Sequence, residues 1–188
     1  MLTSPVWRTR SQQSRALTAL TCGLLAGALT TAALLLVVNG LFSPLPLPLR
    51  SSLFLGVAVL ALLREFGVDA IPLPQPQRQV PREVFAAGLA RGSLRFGFEL
   101  GLGFRTYISA SSTYVLASGI ALLRFEPMTA FAAACGFALG RAAPSWTRYW
   151  NGREEAWDEA VRRLLRWFKP SSVALVAAGM LTVSSAGS

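Results

Sequence analysis

The sequence predicts an all-α integral membrane protein with about five transmembrane helices. Of its 188 residues, 53% are hydrophobic and 14% are charged, whereas about a quarter of a typical soluble domain is charged. The charges are also segregated, because long apolar runs alternate with short arginine-rich stretches, as membrane spans alternate with their loops. About 20 apolar helical residues cross a bilayer core of roughly 30 Å, and the chain can supply about five such runs. We therefore expect one membrane domain over residues 1–188.

The net charge of +9 indicates membrane orientation rather than nucleic-acid binding. It comes from seventeen Arg and one Lys, and cytoplasmic loops of membrane proteins are rich in these residues. The chain has no His, the commonest metal ligand and general base. It also has no zinc motif, phosphate-binding loop or catalytic carboxylate pair. We therefore expect no nucleic-acid partner, no metal and no cofactor, and we favour a non-enzymatic protein.

The apolar runs define the predicted spans and the breaks between them. In the first span, Gly23 and Gly27 are four residues apart, a spacing that allows close helix approach. Alternating prolines from Ser43 to Pro48 end it, because proline cannot occupy a helix interior. A Pro- and Gln-rich linker, residues 71–81, follows the second span. The predicted spans cover residues 16–41, 48–67, 96–123, 127–142 and 171–186 approximately.

Two of these spans leave alternatives open. The stretch 96–123 is either one interrupted span or two half-spans, and the run from Ser172 to Val183 is short for a full crossing. The positive-inside rule favours a single crossing for 96–123, because two full crossings would place the basic run from Arg141 to Lys169 outside. We therefore predict a multi-pass protein of a bacterial cytoplasmic (inner) membrane with a cytoplasmic N-terminus.

Two amphipathic helices are predicted to lie at the membrane surface, over residues 82–95 and 151–169. The second has the clearer helical periodicity, with an apolar face at positions i, i+4, i+7, i+8 and i+11. Such a helix lies in the interface with its apolar face in the lipid. A further possible function is therefore a scaffold that this helix holds at the membrane surface. That apolar face consists of Trp157, Val161, Leu164, Leu165 and Phe168.

The strongest candidate site lies inside the third span, where Glu99 and Arg105 interrupt the apolar run. A charge at the bilayer centre costs at least ~2.5–3.5 kcal/mol, so such residues are usually paired and often functional. Interrupted helices form the sites of many transporters. The alternative is that either charge lies near a membrane interface or pairs with another span for folding alone. The predicted polar site contains Glu99, Arg105, Thr106 and Tyr107, with a helix break at Gly97, Gly101 and Gly103.

The two cysteines, Cys22 and Cys135, offer a second kind of site. Each lies in an apolar, Gly-flanked span. One interpretation is a dithiol pair that passes electrons across the membrane, which requires Cα atoms within about 7 Å. The alternative is that each thiol is a small buried hydrophobe, and no CxxC spacing or neighbouring charge indicates a lowered thiol pKa.

Two segments carry a family resemblance, the linker from Ile71 to Pro81 and the Gly-rich stretch from Phe96 to Tyr107. Together they resemble small multi-pass membrane proteins of high-GC Gram-positive bacteria. The second segment is distantly similar to the DsbD/CcdA type of cytochrome c biogenesis protein. That family has a Pro-Cys break where this chain reads Arg105-Thr106-Tyr107. The resemblance therefore implies a bundle of broken helices without the family's thiol chemistry.

These observations favour a transporter-like bundle or an accessory subunit of a larger membrane complex. Its expected partners are the lipid bilayer and other membrane-protein subunits, or a second copy of the chain. The alternative function is transmembrane dithiol electron transfer through Cys22 and Cys135.

Overall fold

A computed structural model describes residues 10–66, 88–103, 111–151 and 171–182. Over these residues the chain forms six helices and no strands, which confirms the all-α prediction for this part of the chain. The helices are α1 (Arg10–Phe42), α2 (Leu47–Glu65), α3 (Leu89–Gly101), α4 (Ser112–Leu122), α5 (Pro127–Asn151) and α6 (Ser171–Thr182).

Within the described residues, α1 and α2 are the two helices long and apolar enough to cross a membrane by length and composition. With 33 and 19 residues, they extend about 50 Å and about 28 Å at a rise of 1.5 Å per residue. Only 28% and 22% of their most apolar stretches is buried. The core helix of a soluble protein would bury most of such a stretch, whereas α1 and α2 leave most of theirs exposed.

A short proline turn separates α1 from α2, as the sequence predicts. Ser43 N–H donates to the Gly40 carbonyl at 3.1 Å, and Leu45 N–H donates to the Phe42 carbonyl at 3.0 Å. Pro48 lies in the first turn of α2, where its missing N–H has no intrahelical partner to lose.

The third predicted span divides into α3 and α4, and residues 104–110 between them lie outside the described residues. The structure differs from the prediction at the start of α3, which runs unbroken from Leu89 to Gly101. The charges of Arg91 and Arg95 favour a boundary at residue 95 between a surface helix and a span. No proline or positive-φ residue interrupts the backbone at that point, so the helix continues.

The later helices also differ from their predicted bounds. α5 continues through Pro144 to Asn151 rather than ending at residue 142. α6 begins where the last predicted span begins, but the structure describes it only to Thr182. The predicted surface helix at 151–169 lies outside the described residues beyond Asn151, together with its five apolar-face residues.

The chain divides into two compact units, and α1 and α5 each contribute one part to each unit. Unit 1 consists of Met1–Thr31, Pro76–Tyr107 and Ala134–Gly152, and unit 2 consists of Ala32–Gln75, Ile108–Ala133 and Arg153–Ser188.

Unit 1 packs α1 against α3 through four glycines. A Cβ at Gly23 would overlap the Leu94 carbonyl oxygen, and a Cβ at Gly97 would overlap the Leu20 carbonyl oxygen. Gly27 and Gly101 lie equally close to the backbone of the opposite helix. Because Leu20 lies beside Gly97 and Leu24 beside Gly101, the two helices run parallel. Small residues four apart bring helix backbones together in this way inside membranes.

Unit 2 has a hydrophobic core whose side chains are larger than the glycines of the α1–α3 contact. They belong to α2, α4, α5, α6 and the α4–α5 connection. Phe54 of α2 and Val115 of α4 are fully buried, and Met180 of α6 packs over Gly119. Most of the other core residues are aliphatic or alanine. The buried cluster contains Phe54, Ala58, Ala61, Val115, Ile120, Leu123, Ala130, Val173 and Met180.

Candidate functional site

Glu99, the described member of the predicted polar site, pairs within its own helix. Its side chain is 18% exposed, and Oε1 lies 3.4 Å from Nε of Arg95, one turn earlier in α3. The Arg95 side chain is 69% exposed. Arg105, Thr106 and Tyr107 lie outside the described residues, so their grouping with Glu99 stays a prediction.

Of the three glycines predicted to break the helix, Gly103 lies at the break. It has φ of +74°, a left-handed conformation that glycine adopts without steric cost, and its N–H donates to the Leu100 carbonyl at 3.3 Å. Gly97 lies inside α3 and Gly101 is its last residue. These two glycines therefore serve the contact with α1 rather than the interruption.

The most elaborate polar cluster of the described residues lies in unit 2, at the carboxyl end of α4. Arg50 of α2 is only 3% exposed. Its Nε donates to the Leu122 carbonyl at 2.5 Å, and its Nη2 donates to the Leu123 carbonyl at 3.4 Å and to Asn39 Oδ1 at 3.1 Å. Asn39 Nδ2 donates to the Ile120 and Leu123 carbonyls at 2.8 Å and 2.6 Å. Arg50 and Asn39 thus satisfy the carbonyls that α4 leaves without helical partners.

The amino end of α4 is held by the same helix, α2. Glu65 Oε1 accepts a hydrogen bond of 2.7 Å from the backbone N–H of Ser111, which immediately precedes α4 and is 5% exposed. Because Arg50 and Glu65 are at opposite ends of α2 and meet opposite ends of α4, the two helices are antiparallel. We call Arg50, Asn39 and Glu65 the α4 clamp.

The signs of the clamp charges match the helix dipole. A helix carries about half a positive charge at its amino end and half a negative charge at its carboxyl end. Glu65 lies at the positive end of α4 and Arg50 at the negative end. Free half-helix ends bind ions in many transporters, but here side chains of the same chain occupy both ends. The clamp therefore fixes α4 in place and leaves neither end open.

Sequence reasoning does not find the clamp because its partners on α4 are backbone groups. From the sequence alone, Arg50 at the start of its span is expected to extend towards the membrane surface, and Asn39 lies where the first span ends. The available signal was that Arg50 is the first charge after Arg15, 35 residues earlier, and has no carboxylate nearby in the sequence. Such a cation needs a strong acceptor, and a helix end supplies one.

Cys22 and Cys135 are both free thiols, the first exposed and the second partly buried. Both belong to unit 1, where α5 runs antiparallel to α1. Trp146 Nε1 donates to Thr21 Oγ1 at 3.0 Å, and Tyr149 OH donates to the Arg10 carbonyl at 3.4 Å. The dithiol interpretation of Cys22 and Cys135 stays a prediction.

The described residues hold no group of three or more His, Cys, Asp or Glu that could bind a metal ion. No family model matches the chain, and no solved structure matches it. The chain is similar to the methylamine utilization protein MauF of Methylophilus methylotrophus, with 29% identity over 150 residues. The match covers 78% of this chain and 50% of MauF, so the matched region spans about half the length of that relative.

Proposed function

We propose that this chain is a non-enzymatic, multi-pass membrane protein that acts as an accessory subunit in a membrane system for amine utilisation. The similarity to MauF carries the proposed process, because that relative is a methylamine utilization protein. Since the match covers half of MauF, the chain would perform the role of that half.

The exposed apolar surface supports the membrane placement. Val37 and Leu41 of α1 are 67% and 76% exposed. In α2, exposed leucine and valine side chains point in several directions around the helix, including Leu53, Leu55 and Val59. Contiguous apolar surface of this kind marks a membrane or protein contact. We propose five crossings with a cytoplasmic N-terminus, formed by α1, α2, the interrupted pair α3 and α4, α5, and α6.

The α4 clamp favours an accessory subunit over a transporter-like bundle. A transporter needs a site that opens and closes, whereas both ends of α4 are bound by side chains of its own unit, the buried Arg50 and the partly buried Glu65. The transporter alternative makes a separate prediction, namely uptake of labelled methylammonium into liposomes containing the purified chain. We expect no uptake above that of empty liposomes, and clear uptake would favour the transporter instead.

A chimera tests the proposed process. In Methylophilus methylotrophus lacking MauF, a MauF variant whose matched half is replaced by this chain should restore growth on methylamine. The same chimera carrying Gly97→Ala, which disrupts the α1–α3 contact, is the matched control and should not restore growth. A chimera that accumulates in the membrane at normal levels but leaves the cells unable to grow on methylamine would contradict the proposal.

The dithiol alternative is tested in the same strain. Replacing both Cys22 and Cys135 by serine in the chimera should leave growth on methylamine unchanged, because both residues are free thiols that form no disulfide. Loss of growth, with the chimera still present in the membrane, would instead support electron transfer through the cysteines.

A further inference from the structure

The charged residues of unit 1 are strongly unbalanced. Its described residues contain a single acidic side chain, Glu99, and that one is paired with Arg95. They contain six arginines, namely Arg10, Arg15, Arg91, Arg95, Arg141 and Arg148. Packing of unit 1 does not explain this excess, because Arg10, Arg15 and Arg91 are exposed.

Three helices bring four of these arginines, Arg10, Arg15, Arg91 and Arg148, to one end of unit 1. Arg15 lies five residues before Leu20 in α1, and Arg91 lies six residues before Gly97, the neighbour of Leu20 in the parallel helix α3. The two arginines are therefore at nearly the same level. Arg148 of α5 comes directly before Tyr149, whose hydroxyl bonds to the Arg10 carbonyl, so it lies at this end as well.

An aromatic cluster lies at the same end of unit 1. The Trp146 ring is 6.0 Å from the Tyr149 ring and 5.6 Å from the Trp150 ring, measured between centroids. Trp150 is 70% exposed. Tryptophan and tyrosine gather at the level of lipid headgroups, where their rings meet both apolar and polar surroundings. This cluster therefore marks the depth of the headgroups.

We propose that this end of unit 1 binds the phosphate headgroups of anionic phospholipids. Arginine recognises phosphate through paired N–H donors, and basic residues beside a membrane are attracted to anionic lipid. The arginines at the headgroup level supply these donors, and the exposed Trp150 supplies contact with the upper acyl chains. The inference rests on the membrane placement proposed above, but not on the proposed role in amine utilisation.

Native mass spectrometry of the full-length chain in mild detergent can test this binding. The chain is stripped of lipid and titrated with dioleoyl phosphatidylglycerol or with dioleoyl phosphatidylcholine. We expect tighter binding of phosphatidylglycerol. The double variant Arg15→Gln/Arg91→Gln should weaken that binding at least about fivefold, since one basic residue near an anionic surface is worth about that factor. Arg124→Gln, at an exposed arginine of unit 2, is the matched control and should bind like the unmodified chain.

Each alternative has its own outcome. Equal binding of the two lipids by the unmodified chain overturns the inference, as does an unchanged preference in the double variant. Displacement of phosphatidylglycerol by an equal concentration of inorganic phosphate would point to a free-anion site and also overturn it. Equal helicity and melting temperature of the variants exclude misfolding. Failure of the chimera to support growth would leave these lipid measurements unaffected, so the two proposals can fail separately.

Discussion

The α1–α3 contact of unit 1 and the α2–α4 contact of unit 2 are held together by different means. In unit 1, glycines let the backbones of α1 and α3 touch. In unit 2, α2 holds α4 through hydrogen bonds from Arg50 and to Glu65, placed where the helix dipole favours them. Lipid removes most of the hydrophobic drive for helix association and leaves close packing and hydrogen bonding. Close packing dominates the α1–α3 contact, and hydrogen bonding is prominent in the α2–α4 contact.

The largest effect should come from adding a single carbon to the α1–α3 contact of unit 1. Gly97→Ala places a Cβ against the Leu20 carbonyl oxygen, and neither backbone can move without separating the helices. We predict a loss of about 3 kcal/mol in unfolding free energy, at the upper end of overpacking effects. Titration of detergent-solubilised protein with a denaturing detergent, followed by circular dichroism, measures it.

Gly136→Ala is the matched control for that substitution. Gly136 lies inside α5 with no atom within 4 Å of an added Cβ. Alanine there should raise the unfolding free energy by about 0.5–1 kcal/mol, because it is the better helix former. If Gly97→Ala proved as harmless as Gly136→Ala, the backbone contact would not hold unit 1 together.

The next largest effect should come from the carboxyl end of the α4 clamp. Arg50→Met removes the donors to Leu122, Leu123 and Asn39, and hydrogen bonds from a charged group are worth ~1.5–3 kcal/mol each. Relief of the cost of burying the cation offsets part of that loss. We predict a net destabilisation of about 2 kcal/mol, measured in the same titration.

Arg50→Lys separates charge from geometry at this position. Lysine keeps the positive charge at the helix end but cannot reproduce the forked donors of the guanidinium. It should recover about half of the stability lost in Arg50→Met. Full recovery would mean that charge alone matters, and no recovery would assign the whole effect to the hydrogen-bond geometry.

The sequence predicted the helices better than their contacts, for reasons visible in particular residues. Apolar length and the proline turn were sufficient to place α1 and α2. The spacing of Gly23 and Gly27 indicates that α1 approaches another helix closely. Gly97 and Gly101 predict a helix break instead, because the spacing of glycines does not identify which two helices meet. The hydrogen-bond partners of Arg50 cannot be predicted from the sequence, because they are backbone carbonyl groups and every residue carries one. Local patterns therefore specify helices, whereas contacts depend on which helices meet.

A smaller effect is expected at the amino end of the clamp. Glu65→Gln keeps an acceptor oxygen for the Ser111 N–H but removes the charge that interacts with the dipole, so we predict a loss of about 0.5 kcal/mol. Glu65→Leu removes both and should cost about 1–2 kcal/mol, since a buried N–H is left without an acceptor. Equal effects of the two variants would show that the hydrogen bond contributes nothing.

At the aromatic end of unit 1 we also expect small effects, the smallest of them at Trp150. Trp146→Phe loses the hydrogen bond to Thr21 Oγ1 but keeps an aromatic ring, so it should cost about 1 kcal/mol. Trp150→Phe, at a 70% exposed position, should change the unfolding free energy by less than about 0.5 kcal/mol. A larger loss at Trp150 than at Trp146 would contradict the contact between α1 and α5.

Membrane crossing by α1 and α2 is tested most directly by labelling in intact cells. Single cysteines replace Arg15, Ser43 or Phe66, all exposed, in a chain whose own two cysteines are serine, and a membrane-impermeant maleimide is added outside. The proposed topology predicts that Ser43→Cys, in the turn between α1 and α2, is labelled, and that Arg15→Cys and Phe66→Cys react only after the membrane is permeabilised. Equal labelling at all three positions, or protection of Ser43→Cys until permeabilisation, would contradict it.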